Sequence, residues 1–352
     1  MANNFLQDAK KNKNDEFYTQ FNDIQNEVNA YVDYNENVFR DKVILLPCDD
    51  PEWSNFTRFF AQNFERFGIK KLISTSFAIE SKNVNWDWQP TLFETSDPQY
   101  DIKKTKCKGK IFTLERNELS DEKIDVTKLK WKYLEGDGDF RSDEVKKLRD
   151  ESDIIITNPP FSLFREFFNW IIEGNKQFLI IGNQNAITYK EVFPLIKENK
   201  IWLGKPFNRG NAYFSLLQNE SRNYADGVYD STTNLVKFRN CVWFTNLELK
   251  DRHDALDLMT MADNIKYSKH KEIRNIGYQH YDNFDAIEVP YTDSIPSDYD
   301  GVMGVPISFL DKYCPEQFEI VKFRKGNDDK DLRVDGKDLY FRILIRAKGK
   351  RK

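Results

Sequence analysis

Along the first two-thirds of the chain, short β-rich apolar runs alternate with amphipathic stretches. The runs Ile154-Ile155-Ile156 and Leu179-Ile180-Ile181 contain no polar position. A strand with one wet face would alternate. One covered on both faces reads like these, as in a parallel sheet layered between helices. The pattern predicts strands at 43–47, 71–76, 111–114, 131–134, 153–157 and 178–182, and helices at 55–67, 144–151, 163–174 and 190–198. Such alternation points to an α/β fold, a doubly wound and mostly parallel sheet. In sheets of that kind ligands settle beyond the carboxyl ends of the strands. The polar residues after each strand are therefore the first candidates for chemistry.

After about Gly204 the pattern loosens, with charged and turn-forming residues interspersed. Strand-like runs return at 235–245, 318–323 and 340–346, while 289–306, with three prolines and two glycines, is expected to hold little regular structure. There is no internal repeat and no long low-complexity linker. The expected organisation is a core over 1–204 and a second region over 205–352, packed on the core and adding strands to its sheet.

A chain of 352 residues accommodates one large domain, or a core with a smaller appended part. Hydrophobic residues at 39% supply a substantial interior, and 28 Phe with 16 Tyr leave some aromatic rings free to stack on bases. No apolar run approaches the ~20 residues that span a bilayer. The polar, Asn- and Lys-rich start is not a secretory signal. Four scattered cysteines without a Cys-x-x-Cys pair, and only three histidines, argue against structural zinc, disulfides or a histidine-rich metal site. These features predict a soluble, reduced, cytoplasmic protein that uses no metal. The net charge of −4 does not decide for or against a nucleic-acid partner, which needs only a local basic surface. Lys103, Lys104, Lys106, Lys108 and Lys110 form one candidate cluster, and Lys348, Lys350, Arg351 and Lys352 another.

The strongest chemical motif is Asn158-Pro159-Pro160-Phe161, which follows the apolar run directly. Two prolines stop the ladder and fix φ, so the turn is stiff. A second segment, Val43-Ile-Leu-Leu-Pro-Cys-Asp-Asp-Pro51, reads as a strand and an acidic loop; Ser54 is a candidate N-cap for the helix beyond it. The glycine-rich form common in cofactor loops is missing there. Asp15-Glu-Phe-Tyr-Thr-Gln20 and Gly136-Asp-Gly-Asp-Phe140 complete the set.

The tetrapeptide resembles the (Asn/Asp/Ser)-Pro-Pro-(Tyr/Phe) signature of amino-methyltransferases. Alone, it leaves three readings open: methylation of adenine in DNA, methylation of RNA or a protein glutamine, or an inactive DNA-binding relative. The wider set resembles one group, the EcoRI-type adenine-specific modification methyltransferases. The resemblance rests on residues 15–20, 48–51 with Ser54-Asn55-Phe56, 70–73 with Ser76, and 158–161, then on 303–313, 315–320 and 340–346. It covers most of the chain and is weakest over about 205–290.

The resemblance implies a Rossmann-like methyltransferase fold with irregular target-recognition insertions and a C-terminal extension. It implies S-adenosylmethionine as methyl donor, double-stranded DNA as substrate, base flipping and a monomer. A restriction endonuclease acting separately is the implied partner. Asn158, Pro159, Pro160 and Phe161 are the implied catalytic residues. The exocyclic amine of adenine is a poor nucleophile, because its lone pair is delocalised into the ring. The Asn158 oxygen and Pro159 carbonyl would accept its hydrogens and favour a tetrahedral nitrogen, with Phe161 stacked on the flipped base. The implied cofactor shell is Tyr18, Thr19, Cys48, Asp49, Asp50, Asn55, Phe56, Ser76, Asp139 and Phe140. Asn183 and Asn185, after another strand end, are expected to face the cleft. Base-reading contacts are expected among Asn208, Arg209, Asn211, Gln218, Asn219, Arg222, Asn223, Arg239 and Asn240, residue types that read the major groove.

Overall fold

A computed structural model describes residues 17–78, 95, 97–116, 130–207, 210–216, 226–324, 332–339 and 341–349. Asp15, Asn208, Arg209, Gln218, Asn219, Arg222, Asn223, Tyr340, Lys350, Arg351 and Lys352, all named above, lie outside the described residues. The chain divides into two compact units, one of residues 1–184 with 204–247, the other of 185–203 with 248–352. The two units are thus interleaved along the sequence, with one break between Leu203 and Gly204. Residues 204–247 join the first unit because their four strands belong to its sheets, one to the large sheet and three to a smaller one.

The first unit is built on strands β2 (Val43–Leu46), β3 (Lys71–Thr75), β4 (Lys110–Glu115), β5 (Trp131–Tyr133), β6 (Ile154–Thr157) and β7 (Gln177–Asn183), preceded by a short β1 (Tyr18–Thr19). After β8 (Trp202–Leu203), which falls in the second unit, come β9 (Asn211–Ser215), β10 (Tyr229–Asp230), β11 (Leu235–Arg239) and β12 (Cys241–Thr245). Within this unit the large sheet runs β5-β4-β3-β2-β6-β7-β12. Its centre, β3-β2-β6-β7, is parallel. The flanks are antiparallel, at β3-β4, β4-β5 and β7-β12. The sheet is therefore mixed, and its parallel part includes both of the continuous apolar runs, in β6 and β7. Every residue of β2 and β6 is buried.

Helices cover that sheet: α1 (Phe21–Tyr34), α2 (Asn55–Gln62), α3 (Phe64–Phe67), α4 (Ile102–Cys107), α5 (Asp143–Glu151) and α6 (Phe164–Glu173). Helix α6 shows why it packs there. Phe164, Phe167, Phe168 and Ile171 recur at helical spacing and are all buried. The helix expected over 55–67 is split at Asn63 into α2 and α3, and Gly68 ends α3 in the left-handed conformation at φ 63°.

The run expected as one strand over 235–245 is two. Asn240, at φ 61°, turns the chain between β11 and β12, which join different sheets. Strands β1, β9, β11 and β10 form a separate four-stranded antiparallel sheet in that order.

The second unit holds α7 (Phe193–Lys197), α8 (Met261–Tyr267) and α9 (Lys271–Ile276). Its five-stranded sheet has the order β13 (His280–Tyr281), β14 (Phe284–Glu288), β15 (Met303–Pro306), β19 (Arg342–Ala347), β16 (Phe318–Arg324). A small hairpin of β17 (Arg333–Val334) and β18 (Lys337–Asp338) forms a separate two-stranded sheet. The stretch 289–306 is less irregular than expected, because its end, Met303–Pro306, pairs with both β14 and β19. Among the described residues, no helix is long and apolar enough to cross a membrane.

Candidate active site

The carboxyl ends of β2, β3 and β6 converge on one cavity of the first unit, about 400 Å³ in volume. That is within the range of small-molecule sites, ~300–1,000 Å³. Three loops and the strand β1 build it.

The loop after β2 is pinned from several directions. The Asp49 amide donates to the Thr75 carbonyl at 2.9 Å. Its carbonyl accepts from Ser74 Oγ at 2.5 Å. The buried carboxyl group accepts from Ser54 Oγ at 2.6 Å and from Thr157 Oγ1 at 2.6 Å. Ser54 Oγ also accepts from the Phe56 and Thr57 amides, so the expected N-cap of α2 is in place. Burial pushes the Asp49 carboxyl up to about 7; the Ser54 and Thr157 hydroxyls pull against that and Asp50 adds to it. Asp49 therefore ties the acidic loop to the last residue before Asn158.

The loop after β5 closes the far wall. Glu144 accepts from the Glu135 and Gly136 amides, both at 3.0 Å, and fixes the start of that loop. Gly138 sits at φ 81°, and a Cβ there would lie 2.1 Å from the Ser76 carbonyl oxygen. Only glycine lets the loop approach Ser76 so closely. Asp139 does not offer a bare carboxylate. It is paired with Arg141 at 2.6 Å, and Arg141 also reaches Glu166 at 3.1 Å. Phe140 lines the cavity, but its ring also packs edge-on against Phe167 and Trp170.

The Asn158 turn forms the third wall. Asn158 Nδ2 donates to the Phe17 carbonyl at 2.7 Å. With the amide held that way round, Oδ1 is a buried acceptor with no partner among the described residues. Leaving such a group unsatisfied costs about 1–3 kcal/mol. Thr19 Oγ1, on the neighbouring wall, is in the same position. Asn55 stands behind Thr19, donating from Nδ2 to its carbonyl at 2.8 Å.

Of the expected residues, Tyr18, Thr19, Cys48, Asp49, Asp50, Phe56, Ser76, Asp139, Phe140, Asn158 and Pro160 line the cavity. Asn55, Pro159 and Phe161 do not; Asn55 supports Thr19, and Pro159 is buried beneath the turn. Phe161 lies in an aromatic cluster with Phe17, Phe214 and Phe238, its ring 6.3 Å from Phe17 and 6.1 Å from Phe214. Asn183 ends β7 and does not line the cavity, and Asn185 falls in the second unit. Lys110 leaves the basic cluster. It is buried, paired with Glu52, and lies 4.7 Å over the Trp131 ring. Lys103, Lys104 and Lys106 of that cluster are exposed on α4. Residues the sequence did not single out also line the cavity, among them Phe77, Arg141 and Leu163. Their position just after recognised motifs was the only signal available.

A buried, acid-bearing cavity at the carboxyl ends of parallel strands, opening on Asn-Pro-Pro-Phe, is the arrangement of an enzyme that methylates amino groups. The family model described as adenine-specific methyltransferase EcoRI matches residues 5–348. The chain is 44% identical over 348 residues to the Type II methyltransferase M.EcoRI of Escherichia coli, covering 99% of this chain and 97% of that protein. It is 33% identical over 359 residues to M.MgeORF184P of Mycoplasma genitalium, covering 96% and 97% respectively. It is also 33% identical over 363 residues to M.MpnI of Mycoplasma pneumoniae, covering 97% of each chain. No solved structure matches the chain significantly. The chain belongs to the EcoRI-type adenine-specific methyltransferase family.

Proposed function

We propose that the protein transfers a methyl group from S-adenosylmethionine to N6 of adenine in double-stranded DNA, within a Rossmann-like core whose cavity holds the donor. The observation that carries this reading is the orphaned Asn158 Oδ1, held as an acceptor by the Phe17 carbonyl. A buried acceptor without a donor suits a substrate that brings N–H groups. The exocyclic amine of adenine brings two.

The cavity fits the donor on its own chemistry. Its volume suits a nucleoside with an amino-acid tail. Phe56, Phe77 and Phe140 supply apolar walls, Gly138 supplies a backbone cradle, and Asp50 supplies an acid for a cationic tail. Thr19 Oγ1 is a further polar atom awaiting a partner. When bound, the donor supplies an electrophilic methyl group. Asn158 Oδ1 accepts a hydrogen of the target amine and draws its nitrogen toward tetrahedral geometry, whereas Pro159 stiffens the turn from beneath. The nitrogen would form the new N–C bond as the donor's S–CH3 bond breaks, its sulfur leaving as a neutral thioether, and the cationic nitrogen would then shed one proton to solvent. No acid of the chain is required as a nucleophile.

The target amine lies inside the stacked duplex, so the base must leave it, at a cost of a few kcal/mol. Phosphate contacts from Lys and Arg offset that cost and make binding salt-dependent. The same reading places the protein in the cytoplasm as a monomer, with a separate restriction endonuclease as its counterpart. The test is incubation with methyl-labelled donor and mixed-sequence duplex DNA, followed by nucleoside analysis. N6-methyladenine is the expected product. Label in RNA or protein instead, or none with the protein folded and donor bound, overturns the proposal.

A further inference from the structure

The four-stranded sheet β1-β9-β11-β10 has two unlike faces. Pairing places Ala212 opposite Phe238 and Phe214 opposite Val236, and it places Asn211 opposite Arg239 and Tyr213 opposite Lys237. Because successive side chains alternate between faces, the first four residues share one side and the second four the other. Ala212, Phe214 and Val236 are buried. Phe214 and Phe238 pack against Phe161, at ring distances of 6.1 and 5.8 Å, and against Phe17. The inner face is thus sealed onto the Asn-Pro-Pro-Phe turn.

The outer face is partly open to water, with Tyr213 and Arg239 exposed and Asn211 and Lys237 half-buried. Tyr213 is 39% exposed, an unusual display for a ring in the middle of a sheet. Lys237 Nζ lies 6.0 Å over that ring. Arg239 is exposed and has no ion pair among the described residues. None of these four central positions is acidic. The nearest acid of the sheet, Asp230, accepts from the Thr232 amide and the Thr233 hydroxyl, both at 2.9 Å, within its own turn.

We infer that this outer face, centred on the β9-β11 ribbon, is the surface that docks into a groove of the substrate duplex and reads bases beside the target adenine. The inference rests on the DNA-methyltransferase reading above and adds where the reading is done. A two-stranded β-ribbon fits the major groove. An Arg fork matches the acceptors of guanine, and an Asn amide matches adenine. Lys237 supplies a phosphate contact, and Tyr213 an apolar surface at low entropic cost. Charge complementarity selects the partner: two cations and no central acid suit a polyanion. The inner face supplies the mechanical link. Docking force on β9 and β11 bears on Phe161 through Phe214 and Phe238. It also bears on Asn158 through β1, whose preceding residue, Phe17, holds the amide. One small sheet therefore joins sequence reading to placement of the acceptor.

The test uses the full chain, a duplex carrying the site found by sequencing methylated genomic DNA, and duplexes altered at one base pair. Arg239→Ala is expected to weaken cognate binding by roughly 5- to 150-fold and to flatten discrimination at one position. Lys237→Ala is expected to weaken all duplexes alike and to lower the salt slope by about 1. Binding of S-adenosylmethionine is expected to persist in both. Unchanged affinity and discrimination in both variants, with donor binding intact, overturns the inference while leaving methyl transfer by the wild type standing. Should Arg239→Ala lose donor binding as well, Arg239→Lys decides. It keeps the charge but loses the fork, so undiminished discrimination there overturns the inference too. A wild type that methylates no duplex overturns the underlying reading instead.

Discussion

Asn158 gives its amide nitrogen to the Phe17 carbonyl, 141 positions earlier in the chain, at 2.7 Å. That one bond decides the polarity of the site. It consumes the donor half of the side chain and leaves the acceptor half buried and without a partner among the described residues, on the cavity wall. Asn158→Ala removes the acceptor and leaves the cavity walls in place. Single-turnover methyl transfer is expected to fall about 100-fold or more, as when one oriented hydrogen-bonding group is removed from an active site. Donor affinity, read by calorimetry, is expected to change little. Equal turnover in mutant and wild type would remove Asn158 from the mechanism.

Asp49 gives the protein a pH-dependent weak point. Its folded pKa, about 7, lies above its unfolded value of 3.8. Between those values the folded chain binds more protons at this site than the unfolded chain. This contribution to stability therefore declines as pH rises from about 4 to about 7 and levels off above. Asp49→Asn lacks that slope. Thermal unfolding across pH 4–8 is expected to show the variant gaining relative to wild type with rising pH, by a few kcal/mol at most. A constant difference across that range would show that the carboxyl titrates normally.

The sequence disclosed the central strands and the turn, and it concealed what surrounds them. Residues 153–161 were legible because a strand buried on both faces has no polar position and two prolines end it without ambiguity. The α2 cap was legible because Ser54 stands just before the apolar pattern begins. Phe161 was expected to stack on a flipped base; the structure adds that its ring is half-buried against Phe17, Phe214 and Phe238, contacts the sequence did not show. The small sheet that carries Phe214 and Phe238 was hard to see because its strands are short, and because β11 merges in sequence with β12 across Asn240, a residue type that takes positive φ readily but is not specific to turns. Asp139 was assigned as a ligand-facing acid without regard to Arg141 two residues on, which takes its carboxylate. The buried Lys110 was hidden within a run of lysines that stay in solvent.

Gly138 gives the cavity its shape from the backbone. Alanine there would have to hold φ near 81° and place its Cβ 2.1 Å from the Ser76 carbonyl. The left-handed conformation alone costs a non-glycine residue about 1–3 kcal/mol. The backbone clash forces the loop away from Ser76. Gly138→Ala is expected to weaken donor binding at least 10-fold while the second unit stays folded. Titration with the donor, monitored by Trp fluorescence, checks this. Wild-type affinity would show that the loop yields without reshaping the site.

The second unit is held by a buried ion pair whose removal should be informative. Arg342 on β19 meets Glu288 on β14 through Nε at 2.9 Å and Nη2 at 2.6 Å. Their side chains are only 14% and 10% exposed, and Tyr281 donates its hydroxyl to the same carboxylate. Each charge is tolerable inside only because the other is there. Glu288→Gln strands the guanidinium and is expected to cost about 3–5 kcal/mol. Replacing both partners with apolar residues, Glu288→Leu with Arg342→Met, removes the two charges together and is expected to cost less than the single change. Denaturant unfolding of wild type, Glu288→Leu, Arg342→Met and the double closes the cycle. A double variant as unstable as the sum of the singles would show that the pair contributes through independent packing, with no coupling between its charges.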